Sequence, residues 1–151
     1  MTSSPRGMYF EEFEVGQKIT TPARTITEAD VVRFAGLSGD YNPLHTNEEF
    51  AKTTPYGRRI AHGMLVVSIA TGLADRQGFI DGTALAFREL SWKFSSPVFI
   101  GDTIHMVAEV VALKPMPRLG GGLVVLKASM LNQDGKIVQK GEWRVLMKSG
   151  G

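Results

Sequence analysis

The sequence predicts an α+β domain in which one antiparallel sheet of about five strands covers a single hydrophobic helix. Three observations predict it. From Gly63 to about Arg76, Met64, Leu65, Val66, Val67, Ile69, Ala70, Leu73 and Ala74 point in every direction around a helical wheel, and a helix apolar all round is buried all round. Residues 103–113, 122–131 and 137–147 read as strands, with Ile104, Met106, Ala108, Val110 and Ala112 alternating against Thr103, His105 and Glu109 in the first of them. The last two are joined by Asn132-Gln133-Asp134-Gly135, a hairpin turn sequence.

Each element follows from local chemistry. Residues 17–26 have the mixed polarity of a modest strand. Thr27 then caps a helix, with Asp30 placed so that its carboxylate meets the free backbone N–H groups. Val31, Phe34, Ala35 and Ser38 share one face of that helix, and Gly39 supplies its left-handed stop. Asn42-Pro43 forbids continuation, because proline pushes the preceding residue out of the helical region. A short helix spans about Asn47 to Lys52, and Thr54-Pro55-Tyr56-Gly57 turns the chain toward the hydrophobic helix. Residues 83–94 form a strand whose faces switch near Arg88-Glu89, the signature of a bulge. Leu119-Gly120-Gly121-Gly122-Leu123 lacks the lysine and helix of a phosphate loop and reads as a flexible hairpin connection. One sheet of this size cannot enclose a helix on every side, so the 28–60 segment and a second subunit are both expected to cover it.

Composition sets the bounds. The chain has 151 residues, 43% hydrophobic and 21% charged, enough for one real core and too apolar for wholesale disorder. No repeat, linker or low-complexity tract divides it, so residues 1–151 form one domain with short mobile ends. Seventeen Lys+Arg against fifteen Asp+Glu leave a net charge of +2, too slight for a nucleic-acid groove. The absence of cysteine removes disulfides, thiolate metal sites and cysteine nucleophiles. The N-terminus has no apolar segment of the signal-peptide kind, and the longest uncharged apolar run falls short of the ~20 residues that span a bilayer. A soluble cytoplasmic protein without membrane contact is expected.

Chemistry concentrates between Phe34 and His45. Asp40 follows a helix-ending glycine, and Pro43 fixes the backbone between it and His45. A carboxylate and an imidazole five residues apart on a stiffened loop suit general acid–base work. Spacing alone leaves another reading open, since Asp-Tyr-Asn-Pro is also a good turn and a loop histidine is often only solvated. His45, His62 and His105 show no metal-ligand spacing, so no metal is expected. His62 reads as a packing residue at the helix entrance and His105 as solvent-facing. No Gly-x-Ser-x-Gly elbow is present, which argues against serine hydrolase chemistry.

Phe34, Ser38, Gly39, Asp40, Asn42, Pro43, Leu44, His45 and Ala51 together resemble the hydratase signature of the MaoC-like, (R)-specific enoyl-CoA hydratase family. Ile60-Ala61-His62-Gly63-Met64-Leu65 is similar to that family's central-helix entry, and Ser96-Pro97-Val98-Phe99-Ile100-Gly101-Asp102-Thr103 to the approach to its third strand. The likeness runs from about residue 9 to 148 and implies the hot-dog fold. It implies that Asp40 and His45 activate a water for attack on the β-carbon of an enoyl thioester, and that the backbone N–H of Gly63 meets the charge developing on the thioester oxygen. The spacing leaves open which of the pair acts as base. Of the residues assigned to substrate binding, Asn42 orders the loop through backbone hydrogen bonds, Met64 lies near the tunnel, and Thr71 supplies a hydroxyl two turns beyond Gly63 or bonds back to its own helix. Arg58 and Arg59 can meet the phosphates of coenzyme A, as can Arg88, Lys93 or Arg118.

The resemblance thus implies a hydro-lyase of fatty acyl-CoA thioesters, acting as a homodimer or higher homo-oligomer. Coenzyme A enters as the substrate carrier, and no organic cofactor is required. Three rivals stand beside this reading. They are a dehydratase of branched or dicarboxylic, methylmalyl-type acyl-CoA, a hot-dog thioesterase, and a non-catalytic acyl-thioester-binding module. The absence of a carboxylate between Gly63 and Ala74 counts against the thioesterase.

Overall fold

The long strands of the chain pair only with antiparallel neighbours, and their inner faces close over one helix. The computed structural model describes residues 6–151. In chain order it contains β1 (Lys18–Thr20), β2 (Arg24–Thr25), α1 (Glu28–Ser38), α2 (Pro43–Thr46), α3 (Glu48–Lys52), α4 (Gly63–Gln77), β3 (Ala84–Phe94), β4 (Thr103–Met116), β5 (Gly121–Leu131) and β6 (Ile137–Lys148). The strands run in the order β1-β4-β5-β6-β3, with β2 also on β4.

The strand expected over 17–26 is two strands. Thr20 pairs with Val107 and Arg24 with Ile104, while between them Pro22 has no N–H to donate to a ladder. Thr21 holds the break together, its N–H donating to Met106 O and its hydroxyl accepting from Met106 N, both at 2.9 Å. Helix α1 begins and ends as expected. Thr27 Oγ1 accepts from Asp30 N, Asp30 Oδ2 accepts from Thr27 N, and Gly39 stops the helix at φ 79°. Proline 43 ends no more than it starts. Asn42 Oδ1 accepts from Leu44 N at 3.0 Å, and Pro43 opens the one-turn helix α2, a proline's favoured place in a helix. The expected loop around His45 is therefore helical.

Helix α4 drives Val66, Ala70, Leu73 and Ala74 into the sheet, where Ile104, Met106, Leu126 and Met130 are also fully buried. From the other side, Val31 and Ala35 of α1 and Ala51 of α3 are sealed as well. The helix is not buried all round, however. Met64, Ser68, Thr71, Gly72 and Asp75 form an exposed stripe along one line of the helix.

The bulge in β3 falls where it was expected, with a register shift between Phe87 and Glu89. A second bulge, between Val110 and Ala112, removes Ala112 from the core and brings Leu113 against it. The glycines after Leu119 are no flexible connection. Gly120 closes a turn at φ 77°, and Gly121 and Gly122 are buried strand residues. A side chain on Gly121 would strike Met147 O at 1.8 Å, and one on Gly122 would meet the Phe10 ring at 2.4 Å. The N-terminal segment lies over the back of β5 at this point, fastened by Met8 N to Phe79 O at 2.8 Å and Gly150 N to Glu11 at 3.0 Å.

Candidate active site

Four short pieces of chain converge at the N-terminus of α4. The end of α1 carries Asp40, α2 carries His45, residue 60 supplies a carbonyl, and His62 stands at the mouth of α4. Asp40 is oriented by its own loop. Its N–H donates to Ser38 Oγ at 3.1 Å and its Oδ1 accepts from Asn42 N at 3.2 Å. The other carboxylate oxygen, Oδ2, faces His45 Nε2 at 4.0 Å. His45 Nδ1 lies 2.7 Å from Ile60 O. A carbonyl only accepts, so Nδ1 carries the hydrogen and, in the neutral ring, Nε2 presents a lone pair toward Asp40. The imidazole is nearly buried, whereas the Asp40 side chain is half exposed.

His62 belongs to this site, which the sequence reading did not anticipate. Its ring stacks on His45 with centroids 3.8 Å apart and planes 26° from parallel, and Phe34 packs on it at 4.9 Å. His62 Nε2 donates to Asp40 O at 2.9 Å. Its Nδ1 is buried and has no hydrogen-bond partner among the described residues, at a cost of roughly 1–3 kcal/mol for such a group. The only signal in the sequence was its place immediately before the helix-start glycine.

Asp40, His45 and His62 each offer a ligand atom within 4.8 Å of the others. The two imidazoles nevertheless lie face to face, so their in-plane lone pairs run side by side and do not converge on one point. Tetrahedral metal coordination needs convergence. Polar chemistry without a metal fits the arrangement better.

Gly63 opens α4, and the first N–H groups of a helix have no partner within it. The helix dipole adds partial positive charge at the same place. Gly63 lines a cavity of about 420 Å³ with Phe94, Gln139 and Tyr56. A Cβ there would lie 2.7 Å from Phe94 Cδ1. Close approach, not backbone angle, is what requires glycine here. Gln139 is 2% exposed and fastens this end of the helix, donating to Gly63 O at 3.2 Å while accepting from Trp92 Nε1 at 2.8 Å.

The remaining assigned residues separate. Asn42 orders the loop as the cap of α2. Met64 is 54% exposed on the open stripe. Thr71 bonds back to its own helix, donating to Ser68 O at 2.6 Å, and lines a second, apolar cavity of about 150 Å³ with Ile80, Phe87, Leu126 and Trp143. The Arg58 guanidinium lies 3.9 Å over the Phe99 ring and its side chain is exposed. Arg59 is a correction. Its Nη1 and Nη2 donate to Glu28 at 2.8 and 2.6 Å and its Nε to Glu48, so its fork ties α1 to α3 and is not open to phosphate. That pairing holds the guanidinium well above its usual pKa, through the hydrogen bonds to Glu28 and then Glu48.

Comparison with known proteins places the sequence and the fold. The MaoC like domain family matches residues 11–123. An (R)-specific enoyl-CoA hydratase of Rhodospirillum rubrum is 36% identical over 143 residues, 95% of this chain and 94% of its own length. The solved (R)-hydratase of Aeromonas caviae superposes with a TM-score of 0.76 at 36% identity, covering 92% of this chain and 98% of that one. A monoamine oxidase regulatory protein from Archaeoglobus superposes with a TM-score of 0.88 at 40% identity over 97% of both chains. For the fold alone, a Mycobacterium tuberculosis protein described as a double hot-dog gives a TM-score of 0.82 at 20% identity, over 95% of this chain and 45% of that one. An antiparallel sheet wrapped on one helix, with Asp40, His45 and Gly63 gathered at its N-terminus, is thus joined by sequence to relatives of near-equal length, and the chain belongs to the MaoC-like dehydratase domain family.

Proposed function

We propose that the chain reversibly adds water to a trans-2-enoyl-CoA, giving the (R)-3-hydroxyacyl-CoA. The observation that carries this reading is the pair of facing acceptors, Asp40 Oδ2 and His45 Nε2, 4.0 Å apart. One water donating a hydrogen to each would stand at ordinary hydrogen-bond distance from both. The angle at its oxygen would be roughly 90°, near its own H–O–H angle, and its lone pairs would be left for the substrate.

Attack then forms the Cβ–O bond as one water O–H bond breaks to the pair. The alkene electrons move onto the thioester oxygen, where the Gly63 N–H and the dipole of α4 stabilise the enolate. When those electrons return, the proton held by the pair passes to Cα. Neither acceptor needs to leave its position, so one proton and two bonds complete the cycle. A positioned acid–base group contributes ~10²–10⁴-fold and an oxyanion donor about 2.7–4 kcal/mol. Arg58, exposed and seated on Phe99, is the cation best placed to meet a coenzyme A phosphate.

The working unit in this reading is a homodimer. Among the described residues, strand β3 ends the sheet with no neighbour beyond it and exposes Leu85, Phe87, Leu90 and Phe94. An unpaired apolar edge is a template for another chain.

The test is to mix the protein with crotonyl-CoA and follow loss of the conjugated enoyl absorbance beside Asp40→Asn and His45→Ala. Hydration by the wild type, lost by at least about 10²-fold in both folded variants, supports the reaction and the pair together. Release of free thiol would replace the reading with a thioesterase. If a panel of straight and branched enoyl-CoAs gives neither signal, the non-catalytic module replaces it.

A further inference from the structure

We propose that His62 is a positioning residue for the Asp40–His45 pair, acting as a flat hydrogen-bond donor in contact with both. The proposal rests on the reading of Asp40 and His45 as the reacting pair. It starts from a contradiction in the side chain itself. His62 is 2% exposed, and one of its two nitrogens has no hydrogen-bond partner among the described residues. A histidine kept only for packing would be better replaced by an apolar ring, since an unpartnered buried acceptor is costly.

Which of its nitrogens carries a hydrogen follows from its contacts. Asp40 O is a carbonyl and can only accept, so Nε2 at 2.9 Å carries the hydrogen. Nδ1, buried and unpartnered, is then a bare lone pair in the neutral ring. That nitrogen is sealed from solvent, so His62 is no proton shuttle and touches no reacting atom. What remains are two mechanical contacts. The Nε2–H bond grips the backbone of Asp40, fixing the residue whose carboxylate must face His45. The ring face lies on the His45 ring at 3.8 Å, and Phe34 backs it from α1 at 4.9 Å. The Ile60 carbonyl sets which His45 nitrogen faces Asp40. His62 sets where that nitrogen stands.

The choice of residue is explained by the combination. Phenylalanine offers the face without the donor, glutamine the donor without the face, and lysine or arginine would bring a fixed charge against His45. Position matters because a displacement on the order of 1 Å at a reacting group can cost ~10²-fold in rate.

The experiment compares His62→Phe, which keeps the stack, with His62→Gln, which keeps a donor near the Nε2 position. Steady-state hydration of crotonyl-CoA, thermal melting and ¹⁵N NMR of the histidine rings are measured on the full chain. The expected result is a fall in kcat of about tenfold or more in each variant, with KM within about twofold and melting within a few degrees. In the wild type, His62 shows the Nε2–H tautomer, and His45 shows a slowly exchanging Nδ1–H that becomes rapidly exchanging in His62→Gln. Unchanged kcat in both variants overturns the proposal. So does kcat falling only in step with melting temperature, or a His62 that carries its hydrogen on Nδ1. If the wild type hydrates nothing, the kinetic reading of the pair fails by itself. The NMR arm still decides whether His62 holds His45 in place.

Discussion

Replacing Gly63 by alanine separates what the start of α4 does for the fold from what it does for the reaction. The added Cβ would lie 2.7 Å from Phe94 Cδ1 and 2.8 Å from Cε1, with no backbone atom among its close contacts. Phe94 is 56% exposed on the last residue of β3, so its ring can swing outward. The lost contact is offset by the gain from alanine over glycine in a helix, at most about 1 kcal/mol. Stability is therefore expected to change by less than about 1 kcal/mol in either direction. Activity should not be spared. If the thioester oxygen must reach the Gly63 N–H, the methyl group and the displaced ring stand in its approach, and the loss approaches that of an oxyanion donor, about 10²–10³-fold in kcat. Urea denaturation and steady-state hydration of crotonyl-CoA measure the two quantities on the same preparation. A variant of unchanged stability that retains more than about a third of the wild-type kcat would refute the placement of the oxyanion at Gly63. It would leave the Asp40–His45 pair standing.

Other predictions bear on different parts of the molecule. Gly121→Ala drives a Cβ to 1.8 Å from Met147 O, a backbone atom with no freedom to move aside, so β5 and β6 must part locally. Urea denaturation should show a loss of about 3 kcal/mol or more. Glu28 is held below the usual carboxylate range by its hydrogen bond to Arg59. Its contribution is therefore present above the unfolded-state pKa and is lost as pH falls through the lower folded value. At 57% exposure the pair is worth only about 0.5–1 kcal/mol. Glu28→Gln should accordingly be less stable than the wild type at neutral pH, and the difference should shrink as the pH falls below the usual carboxylate range, by denaturation across that series. Arg58→Ala is expected to raise KM for crotonyl-CoA by about fivefold, and to leave a pantetheine thioester of the same acyl group unaffected. Equal effects on both substrates would remove Arg58 from the phosphate.

What could be read in advance was whatever the chain decides locally. Thr27 with Asp30 and Gly39 fix both ends of α1, and Gly135 at φ 73° closes the hairpin its neighbours announce. The start of α2 was missed, because an Asn cap before a proline opens a helix as readily as it ends one and the segment was taken for a loop. The other missed features are decided at long range. Nothing in Val110-Val111-Ala112 marks the bulge that turns Ala112 outward. Gly121 and Gly122 look like a loose loop until Met147 and Phe10 are brought against them. Arg59 looks like a free cation until folding brings Glu28 and Glu48 to it from 31 and 11 residues away. The candidate site divides along the same line. Asp40 and His45 are close in sequence and could be paired from it, whereas His62 joins them through a ring stack on His45 and a hydrogen bond to Asp40 O, both made between separate elements.

The incomplete burial of α4, where burial all round was expected, also ties the site to the proposed dimer. Met64, Leu65 and Val66 are equally apolar in sequence, yet Met64 is exposed while Val66 is sealed, because α1 and the sheet reach only part of the helix. The exposed stripe starts at Met64, one residue from Gly63, and continues through Ser68 and Thr71. These are small or flexible side chains, which can face either a substrate or another polypeptide at low cost. Strand β3 exposes Phe87, which lines a cavity with Thr71, and ends at Phe94, which touches Gly63's surroundings. The open edge of the sheet and the open side of the helix therefore meet at both ends of the stripe. A second copy that paired with β3 would lie against both cavities, the one lined by Gly63 and the one lined by Thr71. In that arrangement the incomplete burial of α4 would leave room for an acyl chain between two copies, and association would complete the proposed site instead of merely hiding an apolar edge.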